Sequence, residues 1–170
     1  MNPFAKPSQK VGVFVDTQNI YHSARNFYKT NVDFGKLIDH VVGGREVTRA
    51  IAYVIQSDLG QKEVGFFEAL INKGIELRIK DLLVFNSGEK KADWDVGIAV
   101  DAIRIAPLLD VVILATGDGD FIPLVEYLKN RGNQVEVAGF GQNTATKLKE
   151  VADFYYDLDD ISKEILICKN

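Results

Sequence analysis

Asp110-Val-Val-Ile-Leu-Ala115, running straight into Thr116-Gly-Asp118-Gly-Asp120, is the stretch on which the fold turns. The apolar run reads as a strand, and the polar tail reads as a loop that carries carboxylates. Working outward, Val11-Gly-Val-Phe-Val-Asp16 has the same form, a buried strand that ends in an aspartate. Arg49–Ile55, Ile75–Ile79 and Gln134–Ala138 read as further strands, and Leu82–Phe85 as an extension of the third. Phe154–Asp157 reads as a short last strand. Between them lie helical patterns at 18–28, 34–42, Gln61–Lys73, Asp93–Ala106, 121–131, Asn143–Val151 and 158–167. Gly74 and Gly132 stop two of these helices in the left-handed position that glycine favours, and Pro107 ends another. Strands alternating with helices predict βαβ units, hence an α/β fold with a mainly parallel sheet of five or six strands and helices on both faces.

The whole chain sets bounds. Its 170 residues suit one domain, expected over residues 10–170 behind a flexible N-terminus of residues 1–9. With 46% apolar and 26% charged residues, the composition is that of an ordinary globular protein. A single cysteine, Cys168, allows no disulfide within the chain, which points to a reducing, cytoplasmic compartment. No stretch approaches a membrane span, so no membrane association is expected. Two histidines and one cysteine cannot build a tetrahedral zinc site, so any metal must be oxygen-liganded: Mg²⁺, Mn²⁺ or Ca²⁺. The net charge of −4 argues against broad adhesion to nucleic acid, which needs Lys and Arg against phosphates.

In a doubly wound sheet, ligands bind outside the carboxyl ends of the strands, where strand order reverses. Asp16 ends the first strand, and Asp118 and Asp120 open the loop after the fourth. If those strands are neighbours, the three carboxylates converge. Each also has a bland reading. Asp16 or Asp120 can cap a helix, and Asp118-Gly-Asp120 can be turn chemistry. Asp95 tips the balance. It shares a helical stripe with Ala99, Ala102 and Ala106, a small apolar face expected to press on the sheet. Asp95 then points inward, and Asp93 is the better capping candidate. Asp101 sits about 120° around the helix, where it is expected to pair at the surface with Arg104, with a supporting role at the site as the alternative. Clustered carboxylates repel one another unless they are protonated or hold a divalent cation. Such cations bind phosphate oxygens and acidify water, which links the cluster to phosphodiester hydrolysis.

Three segments carry a resemblance to a known family. Val13-Phe-Val-Asp16-Thr-Gln-Asn19-Ile-Tyr21, Asp95-Val-Gly-Ile-Ala-Val-Asp101 and Thr116-Gly-Asp118-Gly-Asp120-Phe together resemble the NYN domain in its LabA-like branch. The segment Gly139–Asp153 adds to the likeness. The resemblance implies a PIN-like three-layer α/β/α sandwich and a metal-dependent ribonuclease site using Mg²⁺ or Mn²⁺. On that basis Asp16, Asp95, Asp118 and Asp120 are the expected metal ligands. Asn19 either orients Asp16 or a water, or bonds only to backbone at its helix start. Thr116 stands where relatives carry serine, with a hydroxyl that can meet a phosphate. One departure is visible. Relatives place a lysine shortly before the helix aspartate, whereas this chain reads Lys90-Lys91-Ala-Asp93-Trp94-Asp95. Either Asp93 or Asp95 can then be the ligand, and the inward stripe favours Asp95. Lys90 and Lys91 are candidates to grip phosphate. Trp94 either stacks on a base or packs at its helix start.

The expected function is hydrolysis of RNA, single-stranded by preference, by water activated on the metal. The alternative is a non-catalytic RNA-binding or regulatory module of the same fold. A haloacid-dehalogenase-like phosphatase ranks below both, because the first strand offers Asp16-Thr-Gln rather than Asp-x-Asp. The C-terminal helix, with Ile161, Ile165 and Leu166, can cover the core or seat a second copy in a homodimer.

Overall fold

The computed structural model of the chain describes residues 2–56, 60–81, 83–84, 90–91 and 93–167. Strand β1 is Lys10–Asp16 and leads directly into helix α1, Thr17–Tyr28. Helix α2 (Phe34–Val42), strand β2 (Glu46–Gln56), helix α3 (Gly60–Asn72) and strand β3 (Glu76–Asp81) follow. Strands β4 (Leu83–Val84) and β5 (Lys90–Lys91) form a separate antiparallel ribbon. The chain continues with α4 (Asp95–Ile105), β6 (Val111–Ala115), α5 (Ile122–Asn130) and β7 (Gln134–Gly139). It closes with α6 (Thr146–Val151), β8 (Phe154–Asp157) and α7 (Ser162–Ile165).

Six strands form one all-parallel sheet in the order β3-β2-β1-β6-β7-β8. The chain builds outward from β1 to β3, then crosses back and builds the other way from β6. Strand order therefore reverses between β1 and β6, and a crevice opens at their carboxyl ends. The two strands pair from Val11 with Val111 to Val15 with Ala115, so Asp16 and Thr116 come out side by side.

Alternation along the strands makes two cores. Val11, Val13 and Val15 face one core with Ile20, Ala24, Leu37, Val41, Leu70 and Ile165. Phe14 faces the other with Ile51, Tyr53, Ile98, Ala102, Leu124 and Leu148. The result is the expected three-layer α/β/α sandwich, with α1, α2, α3 and α7 on one face and α4, α5 and α6 on the other. Gly74 (φ 75°) and Gly132 (φ 98°) occupy the left-handed positions after α3 and α5.

The structure corrects four expectations. Leu83 and Val84 do not extend β3 but pair with Lys90 and Lys91; Leu82 and Phe85 lie outside the described residues. The N-terminal segment is not loose at its start. Asn2 is buried and donates from Nδ2 to Glu136 Oε1 at 2.7 Å. Glu136 also takes a two-pronged ion pair from Arg45, with both side chains shielded from solvent, and Tyr156 Oη donates to it at 2.9 Å. The C-terminal helix is one turn long. Ile165 is fully buried in the core, and the segment is tied down through Asp33 N to Ile165 O and Ile167 N to Asn31 O. Finally, α4 has turned relative to its alanine stripe. Ala102 and Ala106 are buried as expected, but Ile98, Asp101 and Ile105 are buried beside them and Ala99 is only partly covered, so the inward face is centred on the isoleucine side, where more apolar surface leaves water.

Candidate metal centre

Asp95, Asp118 and Asp120 come together. Each offers a carboxylate oxygen, and these lie within 4.8 Å of one another. Asp95 arrives from the first turn of α4, whose N-cap residue, Trp94, makes no side-chain capping bond. Asp118 and Asp120 arrive from the loop after β6. Asp118 Oδ1 accepts from the Asp120 backbone N–H at 2.9 Å, a local turn that throws the two carboxylates to the same side. The capping bond expected of Asp120 thus belongs to Asp118, and Asp120 is exposed.

Asp16 stands beside this group with both oxygens engaged. Oδ1 accepts from the Asn19 backbone N–H at 3.2 Å, the N-cap of α1, and Oδ2 accepts from the Thr116 hydroxyl at 3.1 Å. Burial pushes the Asp16 carboxyl up to about 6, against the pull of those two hydrogen bonds, and Asp95 and Asp118 add to the rise. Asp95 is raised as well, by burial first and then by the neighbouring Asp118, Asp93 and Asp120. The donor set consists of hard carboxylate oxygens, which fits a divalent cation of the Mg²⁺ or Mn²⁺ kind.

The other expected site residues fall as follows. Asn19 Oδ1 accepts from the Gly117 backbone N–H at 2.8 Å, so this side chain clamps the β6 loop to α1. Thr116 corrects its expected role. It is buried, donates to Asp16 and accepts from the Asp118 N–H at 3.2 Å, which leaves no hydroxyl facing a phosphate. Gly117 is required here, because a Cβ would sit 2.7 Å from the Asn143 carbonyl oxygen.

Asp93 is exposed, makes no capping bond among the described residues and stays outside the three-carboxylate group; its carbonyl accepts from Lys80 Nζ at 2.8 Å. Asp101 is not a surface residue but buried. It accepts from Tyr53 Oη at 3.0 Å and pairs with Arg104 and Arg78, a structural junction between α4, β2 and β3. Lys90 and Lys91 have paired backbones, but their side chains lie outside the described residues. Trp94 packs. Its Nε1–H donates to the Val54 carbonyl at 2.9 Å and its ring meets Tyr53 edge-on.

Two contributors escaped the sequence. Lys80 lies over the Trp94 ring, 4.5 Å from its centre, and lowers the Asp95 carboxyl against its other neighbours. The loop after β7 forms the far wall of a trough of about 400 Å³, lined by Asn19, Gly117, Asp118, Gln142, Asn143 and Ala145 among others. Its signal was its place at the carboxyl end of a strand next to the switch point.

The chain matches the NYN domain model over residues 10–159. It is 25% identical over 166 residues to the low amplitude and bright protein LabA of Synechococcus elongatus, covering 92% of this chain and 87% of LabA. It is 26% identical to an uncharacterized Methanocaldococcus jannaschii protein, over 88% of this chain and 55% of that one. Among solved structures, a Vibrio parahaemolyticus protein of unknown function, 36% identical, superposes with a TM-score of 0.85 over 96% of this chain and 99% of that chain. No described helix is long and apolar enough to cross a membrane. The PIN-like fold and the acidic cluster at its switch point fit a nuclease-like role, and the chain belongs to the NYN domain family.

Proposed function

We propose that this protein is a metal-dependent ribonuclease acting on single-stranded RNA. The observation that carries the reading is the convergence of Asp95, Asp118 and Asp120 beside Asp16 at the β1–β6 switch point. Asp95, Asp118 and Asp120 hold the cation. Asp16, fixed at both oxygens by Asn19 and Thr116, supplies the charge behind them. A divalent cation in that position neutralises phosphate charge and makes an attacking water more acidic. Asn19 keeps Asp118 in place by clamping Gly117 to α1. Lys80 is the nearby cation that offsets the acidic rim. Asp16 and Asp95 are both held above the usual carboxylate range, by burial first and in part by Asp118, and a bound divalent cation would relieve that cost.

The test is incubation of labelled single-stranded RNA with the protein and Mn²⁺, Mg²⁺ or EDTA, beside Asp118→Asn. The expected result is cleavage that needs metal and disappears in the variant. If Asp118→Asn cleaves as well as wild type, the assignment fails. If neither protein cleaves while metal still raises the melting temperature, the fold serves RNA binding or regulation instead.

A further inference from the structure

The trough beside Asp118 is built to a pattern that metal binding does not require. Its walls are the loop after β6, Gly117 to Gly119, and the loop after β7, Gln142 to Ala145. Apart from Asp118, every residue lining it is uncharged. A hydrogen-bond chain fixes the orientation of two amides at its floor. The Gly117 N–H donates to Asn19 Oδ1 at 2.8 Å, so the Asn19 Nδ2 group must face the other way. The Ser23 hydroxyl donates to the Asn19 carbonyl at 2.7 Å, so its oxygen is left as an acceptor. Asn143 Nδ2 donates to that oxygen at 2.7 Å, which turns Asn143 Oδ1 outward. Among the described residues neither Asn19 Nδ2 nor Asn143 Oδ1 has a partner; Asn143 is an exposed residue, and the half-buried Asn19 leaves no buried polar atom unsatisfied, so its Nδ2 reaches solvent. Ser23 is almost fully buried, and its one proton is committed to the Asn19 carbonyl. The trough therefore presents an oriented donor and an oriented acceptor beside Asp118, the one charged residue among its described lining.

We infer that this trough is a subsite for the neutral nucleoside part of the nucleotide next to the scissile phosphate, with Asn143 as a specificity-determining residue. A phosphate is disfavoured there, because Asp118 forms part of the wall and no cationic residue among the described ones lines it. A base edge or a ribose hydroxyl carries the complementary acceptor and donor. The glycines let the two loops close on each other at the end of the trough: a Cβ at Gly117 would sit 2.7 Å from the Asn143 backbone carbonyl oxygen and one at Gly119 3.2 Å from the Ala145 Cβ, and the Ala145 N–H donates to the Gly117 carbonyl at 3.0 Å.

This inference rests on the nuclease reading for the identity of its ligand, but its test measures binding. Fluorescence anisotropy would give Kd for hexamers of rA, rC, rG and rU, and for the matching DNA hexamers. Ca²⁺ would replace Mn²⁺ to hold the phosphates. Wild type is expected to discriminate roughly fivefold or more, among bases or between RNA and DNA, the scale of one directed hydrogen bond. Variation with base assigns the trough to the base, and variation with sugar assigns it to the ribose. Asn143→Ala should reduce the discrimination to less than about twofold. Ser23→Ala, which frees the Asn143 amide to turn without touching the trough wall, should narrow it as well. The metal-induced rise in melting temperature should persist in both variants and report an intact fold and metal site. Discrimination unchanged in both variants, or a wild type with none, overturns the subsite. Discrimination that depends on Asn143 in a protein that cleaves nothing upholds the subsite and removes the nuclease reading. Cleavage without such discrimination does the reverse.

Discussion

Replacing Asp16 by asparagine should stabilise the metal-free protein, and do so only once pH has risen into the window between the ordinary carboxyl value of 3.8 and the native value of about 6. Burial and the nearby Asp95 and Asp118 raise this group from 3.8 to about 6. The sign follows from proton counting. Between those values the folded state holds a proton that the unfolded state releases, so stability falls as pH rises through the window and then levels off. The rise of about two units corresponds to roughly 2–3 kcal/mol. Asparagine is as good an N-cap as aspartate, so the bond from the Asn19 N–H survives. The bond from the Thr116 hydroxyl is lost, at a cost of about 1 kcal/mol at every pH. The variant should then be slightly less stable than wild type near pH 4 and more stable by roughly 1–2 kcal/mol at pH 8, about 2–8 °C in melting temperature. Thermal unfolding in EDTA from pH 4 to pH 8 measures this. Saturating Mn²⁺ should reverse the order at pH 8, because a bound cation removes the penalty in wild type. A difference between the two proteins that does not change with pH would refute the reasoning, and so would a variant that loses ground as pH rises.

Asp95→Asn should abolish most of the metal-induced rise in melting temperature while Asp93→Asn keeps it, since only Asp95 reaches the carboxylate group; equal losses would put both aspartates on the metal. Arg45→Met alone should cost roughly 3–5 kcal/mol in urea unfolding by stranding Glu136 in the core, whereas Arg45→Met with Glu136→Leu should recover most of it. A double variant as unstable as the single one would mean that the pair's value lies in its bonds to Asn2, Tyr156 and the Val41 and Val42 carbonyls. Gly117→Ala should destabilise by about 1–3 kcal/mol, because its Cβ meets a backbone oxygen that cannot retreat without moving the β7 loop. An unchanged unfolding midpoint would show that the two loops yield freely.

Much of this protein is legible in its residues taken in order. Apolar runs such as Val111–Ala115 and Val11–Val15 need burial on both faces, and they declare a parallel sheet wherever they end up. Aspartates at the ends of those runs are placed at carboxyl edges by chain direction alone. Gly74 and Gly132 mark helix ends through backbone sterics that involve no distant partner. These are local properties, so order along the chain suffices to read them. Which strands become neighbours is a different kind of fact. Asp16 meets Thr116 only because β6 lies beside β1, and the relation spans 100 residues. The rotation of α4 was decided by what it packs on. Ile98 and Ile105 found the sheet, Tyr53 Oη needed an acceptor, and Asp101 turned inward to provide it. Arg45 with Glu136 and Asn143 with Ser23 show no periodic signature, since each side chain is defined by a partner on another element. Secondary structure and the direction of each strand follow from covalent geometry and short-range hydrophobic pattern. The site follows from strand order, which the chain acquires only when the two cores close over the sheet.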